Sequence, residues 1–235
     1  LADYELNILH INDLHSRIEA INKYDSTCTA EEDGKNECFG GIARVKTAID
    51  NARKALTDAK ANVLVLDAGD QFQGSLFYTT YKSQAVAEFM NGIGFDAMAV
   101  GNHEFDDGPE GLAILADGVD FPVLSGNLDL SQSNVLNGKV DDVLTLDIGG
   151  EKIGIVSALA MDTPETASPG PNVIFQDDIE SLKADVQELT DQGVNKIIAL
   201  THVGYLRDQA FAREVPGLDA IIGGHSHTLL GDMED

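Results

Sequence analysis

The 235-residue chain has no tryptophan, two cysteines, six prolines, six histidines and 15 lysines and arginines against 40 aspartates and glutamates. Each scarcity excludes something. A formal net charge of −25 leaves no basic stripe, so a nucleic-acid-binding surface is excluded. No apolar run approaches the roughly 20 residues of a membrane helix. The chain opens on Leu1 without a basic-then-apolar leader, so the expectation is an export signal that was removed or never present. With 43% hydrophobic and 23% charged residues, the sequence can still build a core, and disorder is not the default reading. Its length suits one large domain.

Solvation accounts for most of the acidic excess, since a metal site uses only a few carboxylates. An anionic substrate would be repelled unless bound cations reversed the field locally. The two cysteines, Cys28 and Cys38, lie in one polar stretch. A zinc site would want closer spacing and further ligands nearby, so a loop disulfide is preferred, with two unpaired thiols as the alternative. A disulfide would place the protein outside the reducing cytosol.

Apolar runs alternate with amphipathic segments. Strands are predicted at Tyr4 to Asn12, Val63 to Asp67, Ala97 to Val100, Pro122 to Ser125, Lys196 to Leu200 and Asp219 to Ile222. Val143 to Ile148, Gly149-Gly150 and Lys152 to Ser157 read as a hairpin. Ile42, Val45, Ile49, Ala52 and Leu56 predict a helix over Gly41 to Lys60. Gln84 to Asn91 looks helical, Pro109 opens a helix, and Ile179, Leu182, Val186 and Leu189 mark another. Thr163 to Asn172, with three prolines, reads as a loop. The alternation indicates an α/β domain with sites at strand ends.

Five of the six histidines fall just after predicted strands or in glycine-rich turns. Asn12-Asp13-Leu14-His15 follows the first strand; the Asp and His, two apart, can point to one side of an extended chain. Gly69-Asp70-Gln71-Phe72-Gln73-Gly74 follows the second, its glycines letting the backbone bend close to an ion. Asp67 reads as a structural turn residue. Gly101-Asn102-His103-Glu104-Phe105-Asp106 follows the third. There Asn102 offers a neutral oxygen, and His103 and Asp106 are spaced for a carboxylate to orient an imidazole. Glu104 reads as pointing away. Thr201-His202 and Gly223-Gly224-His225-Ser226-His227-Thr228 complete the set, while His10, inside a strand, is expected to be buried and inert. Singly, each histidine is more often structural. Together, seven donors at five strand ends suit two metal ions about 3.5–4 Å apart, with Asp70 the natural bridging carboxylate.

These motifs, with Cys-Phe-Gly-Gly-Ile-Ala-Arg and Asp-Ala-Gly-Asp-Gln-Phe-Gln-Gly, resemble the calcineurin-like metallophosphatases and, within them, the 5'-nucleotidase family, over Leu6 to Leu229. The resemblance implies a β-sandwich flanked by helices, in four layers αββα, incomplete at its C-terminal side. It implies one metallophosphatase catalytic domain over residues 1–235, with the family's C-terminal nucleotide-binding domain truncated, cleaved or carried elsewhere. One metal would take Asp13, His15, Asp70 and His227, and the other Asp70, Asn102, His202 and His225. His103 and Asp106 match the catalytic dyad. Family members look to carry Asn or Gln where this chain has His227, whereas the wider superfamily has His. The implied activity is nucleotide phosphate-ester hydrolysis with two divalent ions, Zn²⁺, Mn²⁺ or Co²⁺. UDP-sugar hydrolysis, 2',3'-cyclic-nucleotide cleavage, thiosulfate-ester hydrolysis and a catalytically silent binding protein are the competing readings. The expected setting is periplasmic or extracellular, and the expected partners are a nucleotide and either a second copy or a separate C-terminal fragment.

Overall fold

A computed structural model describes residues 4–231. Its elements, in chain order, are β1 (Leu6–Ile11), β2 (Ile21–Asn22), α1 (Ala30–Gly34), β3 (Cys38–Phe39), α2 (Ile42–Asp58), β4 (Asn62–Asp67), α3 (Leu76–Ile93) and β5 (Ala97–Ala99). A 3₁₀ turn over Asn102–Phe105 leads to α4 (Gly108–Gly118), β6 (Val123–Leu124), β7 (Leu128–Asp129), β8 (Val143–Ile148) and β9 (Glu151–Leu159). Then come α5 (Thr163–Thr166), β10 (Ile174–Phe175), α6 (Asp178–Asp191), β11 (Ile197–His202), α7 (Tyr205–Glu214) and β12 (Ala220–Gly223).

Two four-stranded sheets result. The first has the order β1-β4-β5-β6 and is parallel throughout. The second has the order β12-β11-β9-β8; β12, β11 and β9 are parallel, and β8 closes the edge antiparallel to β9. The β8–β9 reversal uses Gly149 (φ 62°) and Gly150 (φ 85°), the pair of positive φ angles that a two-residue hairpin turn with native twist demands.

Period-two alternation assembles the layers. In β4, Leu64 and Leu66 face the second sheet while Val65 faces outward; in β11, Ile198 and Leu200 face the first sheet while Ile197 and Ala199 face outward. Leu64, Leu66, Leu124, Ile155 and Leu200 therefore form a core between the sheets. Outside the first sheet, α2, α3 and α4 contribute Ile49, Met90 and Leu112; outside the second, α6 and α7 contribute Leu182, Leu189 and Phe211. The architecture is α/β in four layers, αββα.

Local signals explain the boundaries. Pro109 sits in the first turn of α4, where its missing N–H costs nothing. The Asp177 side chain caps α6 by accepting from Glu180 N at 3.0 Å. The predicted Gln84–Asn91 helix is the second part of a longer α3, interrupted at Lys82 (φ 58°, ψ −158°). The Thr163–Asn172 loop contains the single turn α5. Helix α7 and the two-residue ribbons β2–β3 and β7–β10 carry too little periodicity to be predicted. Cys28 and Cys38 form a disulfide, Cα–Cα 5.8 Å, across the β2–β3 region. Among the described residues no helix is long and apolar enough to cross a membrane.

Candidate metal centre

All five donor segments leave the C-terminal ends of parallel strands, and both sheets present those ends at one edge of the sandwich. The first sheet supplies Asp13 and His15 after β1, Asp70 after β4, and Asn102 and His103 after β5. The second supplies His202 as the last residue of β11, and His225 and His227 after β12. The sheets are joined where the ligand loops meet: His225 N donates to Asp13 Oδ2 at 3.0 Å, and His202 Nδ1 lies 2.6 Å from Ala68 O. Glycine makes that approach possible, since a Cβ on either Gly69 or Gly224 would lie 2.9 Å from His202 Nδ1.

The loops are held in unusual backbone conformations. Asp13 (φ 51°), His15 (φ 50°), Asp70 (φ 59°), His225 (φ 82°) and His227 (φ 48°) all occupy the left-handed region, which non-glycine residues adopt at a cost of about 1 kcal/mol or more each. Wholly buried Phe72 anchors the loop of Asp70 in the outer core, as Phe105 does the loop after β5. Burial of Phe72 contributes roughly 1.5–3 kcal/mol against the strain at Asp70.

The donors fall into two groups sharing Asp70. In the first, His227 Nε2 is 3.1 Å from His15 Nε2 and 3.2 Å from Asp13 Oδ1. In the second, His202 Nε2 is 3.0 Å from Asp70 Oδ2, and His225 Nδ1 is 2.9 Å from Asn102 Oδ1. Asp13 with His15 and His227, and Asp70 with His202 and His225, are compact enough to surround one ion each. Asp70 Oδ2 is 3.8 Å from His15 Nε2, which puts this carboxylate between the groups. Donors sharing one ion at bonds of about 2.0–2.2 Å stand about 3 Å apart, the spacing seen here.

Two further features fit cations. His202 is wholly buried, and with Nδ1 against a carbonyl its Nε2 is the ring nitrogen with a lone pair to offer. That Nε2 has no aligned hydrogen-bond partner although it touches a carboxylate oxygen. Two acceptors so placed need a cation or a proton between them. Burial acts to lower His202, but the contact with Asp70, its charge and the Ala68 carbonyl outweigh it and raise it to about 9, so with no metal between them a proton holds the place on Nε2 that a cation would take. Burial acts against the Asp70 carboxylate too, and His202 overcomes it and lowers Asp70. Burial lowers His15 and His225, favouring the neutral imidazole that a metal requires.

His103 stands apart in character. Its Nδ1 is 2.8 Å from Asp106 Oδ2. That bond, against opposing burial and with help from Asp70, raises its pKa. Its ring meets His15 edge-on at 5.1 Å between centroids, so it borders the first donor group.

Every residue expected at the site is therefore brought to one place. The open cleft above it, about 640 Å³, is also lined by Arg17, Gln73 and Thr166, which sequence reasoning did not single out. Arg17 could have been noticed only as a rare cation two residues beyond His15. His10 corrects the expectation of a buried residue: it is exposed and lines a second cleft with Tyr205 and Leu218. The reason is that β1 is an edge strand, with β4 alone beside it among the described residues.

Comparison with known proteins agrees with this geometry. Residues 6–229 match the calcineurin-like phosphoesterase family. The chain is 43% identical to the 5'-nucleotidase of Bos taurus over 230 residues, covering 97% of this chain and 39% of that protein. It is 42% identical to a snake venom 5'-nucleotidase of Gloydius brevicauda, covering 97% of this chain and 38% of that protein. Among solved structures, a 5'-nucleotidase precursor from Thermus thermophilus superposes with a TM-score of 0.85 at 40% identity, covering 97% of this chain and 43% of the other. The chain thus spans about two fifths of the length of these relatives.

Proposed function

The chain belongs to the calcineurin-like phosphoesterase family, which uses a dinuclear divalent metal centre, and from that premise we propose that it holds two cations and releases phosphate from nucleoside 5'-monophosphates. The observation that carries the reading is the pair of donor groups sharing Asp70. Asp13, His15, Asp70 and His227 would hold one ion, and Asp70, Asn102, His202 and His225 the other. The all-oxygen-and-imidazole set suits Zn²⁺, Mn²⁺ or Co²⁺. When bound, two such ions supply Lewis acidity toward a phosphoryl oxygen and toward the attacking water.

The protein's own groups supply the rest. His103 lies on the cleft wall with Nδ1 committed to Asp106, so its Nε2 is the ring nitrogen available to substrate. Its raised pKa keeps it protonated further into the neutral range, which suits stabilising charge on the phosphoryl group and giving a proton to the departing ribose oxygen. The buried strand ends fix the donors before substrate arrives, so little reorganisation is needed during reaction. Residues 1–235 are read as one metallophosphatase catalytic domain. The disulfide suits an oxidising setting, periplasmic or extracellular, as with the venom relative.

The test is phosphate release from AMP, p-nitrophenyl phosphate, UDP-glucose and 2',3'-cyclic AMP, with bound metal measured on the same sample. Two ions per chain and release from AMP support the reading. Turnover confined to UDP-glucose or the cyclic nucleotide moves the substrate assignment, and two bound ions without turnover on any ester mark a binding protein. Absence of transition metal after metal-replete purification overturns the centre itself.

A further inference from the structure

Glu104 lies between Asn102 and Asp106 yet faces away from the cleft. It is wholly buried, and its carboxylate gathers four backbone N–H groups from two ligand loops. Oε2 accepts from Gly101 N at 2.7 Å and from Asp70 N at 2.9 Å. Oε1 accepts from Gln71 N at 2.8 Å and from Phe72 N at 3.2 Å. Three consecutive amides of the loop after β4 thus converge on one side chain from the loop after β5. Successive amides aimed inward form an anion-binding hollow, here filled by the protein's own carboxylate. A carboxylate has two oxygens with about four lone-pair sites and no donor, so it can satisfy all four amides; no neutral side chain can.

The consequence falls on Asp70. Its backbone is in the left-handed region (φ 59°), where an unsupported loop would relax. Its Oδ1 accepts from His103 N at 2.9 Å, leaving Oδ2 beside His202 and His15. A Cβ at Gly101 would collide with both Asp70 and the Glu104 carboxylate, so the three groups are packed with no slack. Neighbouring Asp67 supports the same loop, accepting from Gly69 N at 3.1 Å and Gln71 Nε2 at 2.9 Å.

We propose that Glu104 is the positioning residue that presents Asp70 to both cations by clamping the two loops that carry Asp70, Asn102 and His103. This rests on the reading that the site holds two ions.

The experiment is cation binding, not turnover. Wild type, Glu104→Gln and Glu104→Asp are titrated with Mn²⁺ against a competing chelator at 25 °C, and stoichiometry is measured separately. Glu104→Gln keeps the shape but turns an NH₂ group toward two amides, so both affinities should weaken about 10- to 100-fold, the usual cost of losing the support behind a ligand. Glu104→Asp keeps the charge but retracts it by one methylene and should weaken binding by an intermediate factor. Leu189→Ala, in the core of the opposite sheet, serves as a variant of lowered thermal stability and should keep wild-type affinity. Wild-type affinity in either Glu104 variant, or an equal loss in Leu189→Ala, overturns the positioning role. If Glu104→Gln does not fold, Glu104→Asp decides. Failure of the wild type to bind Mn²⁺, Zn²⁺ or Co²⁺ would refute the metal centre first, and the positioning role with it.

Discussion

Asp185→Asn should stabilise the protein, and more so at alkaline than at acid pH. Asp185 projects from α6 with 9% of its surface exposed, and its Oδ2 has no hydrogen-bond partner. It presses on Gly126, where a Cβ would have no room. Burial first, then the charges of Asp142 and Glu188, raise its pKa to about 7. In the unfolded chain the group titrates near 3.9. Between about pH 4 and 7 the folded chain keeps a proton that the unfolded chain has released, so stability falls as pH rises through that window. A displacement of about three units corresponds to about 4 kcal/mol by pH 8, roughly two thirds of it lost above pH 5. Water penetration and relaxation around a carboxylate at the end of a sheet reduce this to the order of 1–3 kcal/mol. Asparagine has no proton to lose, and its NH₂ can donate to the Ser157 or Asp142 carbonyls that border Gly126. The assay is urea unfolding of metal-free wild type and Asp185→Asn at pH 5 and pH 8. The expected result is a midpoint gain for the variant that grows between the two pH values. An equal shift at both, or a loss at pH 8, would refute the reasoning.

Three other outcomes are expected. Asp70→Asn should remove at least one bound ion and nearly all phosphatase activity, because a single amide oxygen cannot serve both donor groups; metal analysis and phosphate release check this. His103→Ala should keep both ions and lower turnover by about 10²–10⁴, the range for a positioned acid–base group, while loss of an ion would mean the residue is a ligand. Replacing Cys28 and Cys38 together by serine should cost at most about 3 kcal/mol of stability by the chain-entropy argument, since the closed loop is short. Mn²⁺ affinity should not change in that variant, and a matching loss of affinity would tie the loop to the site.

Much of the molecule was determined by local sequence. Continuous apolar runs place β4 and β11, because a strand buried on both faces has little room for polar residues, while the edge strands β1 and β8 carry His10, Thr145 and Asp147 among their apolar residues. A helical repeat from Ile42 to Leu56 marks α2 for the opposite reason, one face being wet. The residues of the candidate site were legible too, since Asp, Asn and His beside glycine at strand ends have little structural purpose in combination. The tertiary structure alone decided what is next to what. Which sheet a strand joins depends on long-range pairing that no local pattern records, and so His10 turned out exposed on an edge. The division of seven donors into two groups depends on two sheets meeting at their C-terminal edges, which brings residues 13 and 225 within 3.0 Å. Glu104 is the clearest case. Its letter is that of a solvated acid, and only the convergence of amides from residues 70 to 72 and 101 gives a buried carboxyl group there its hydrogen-bond partners.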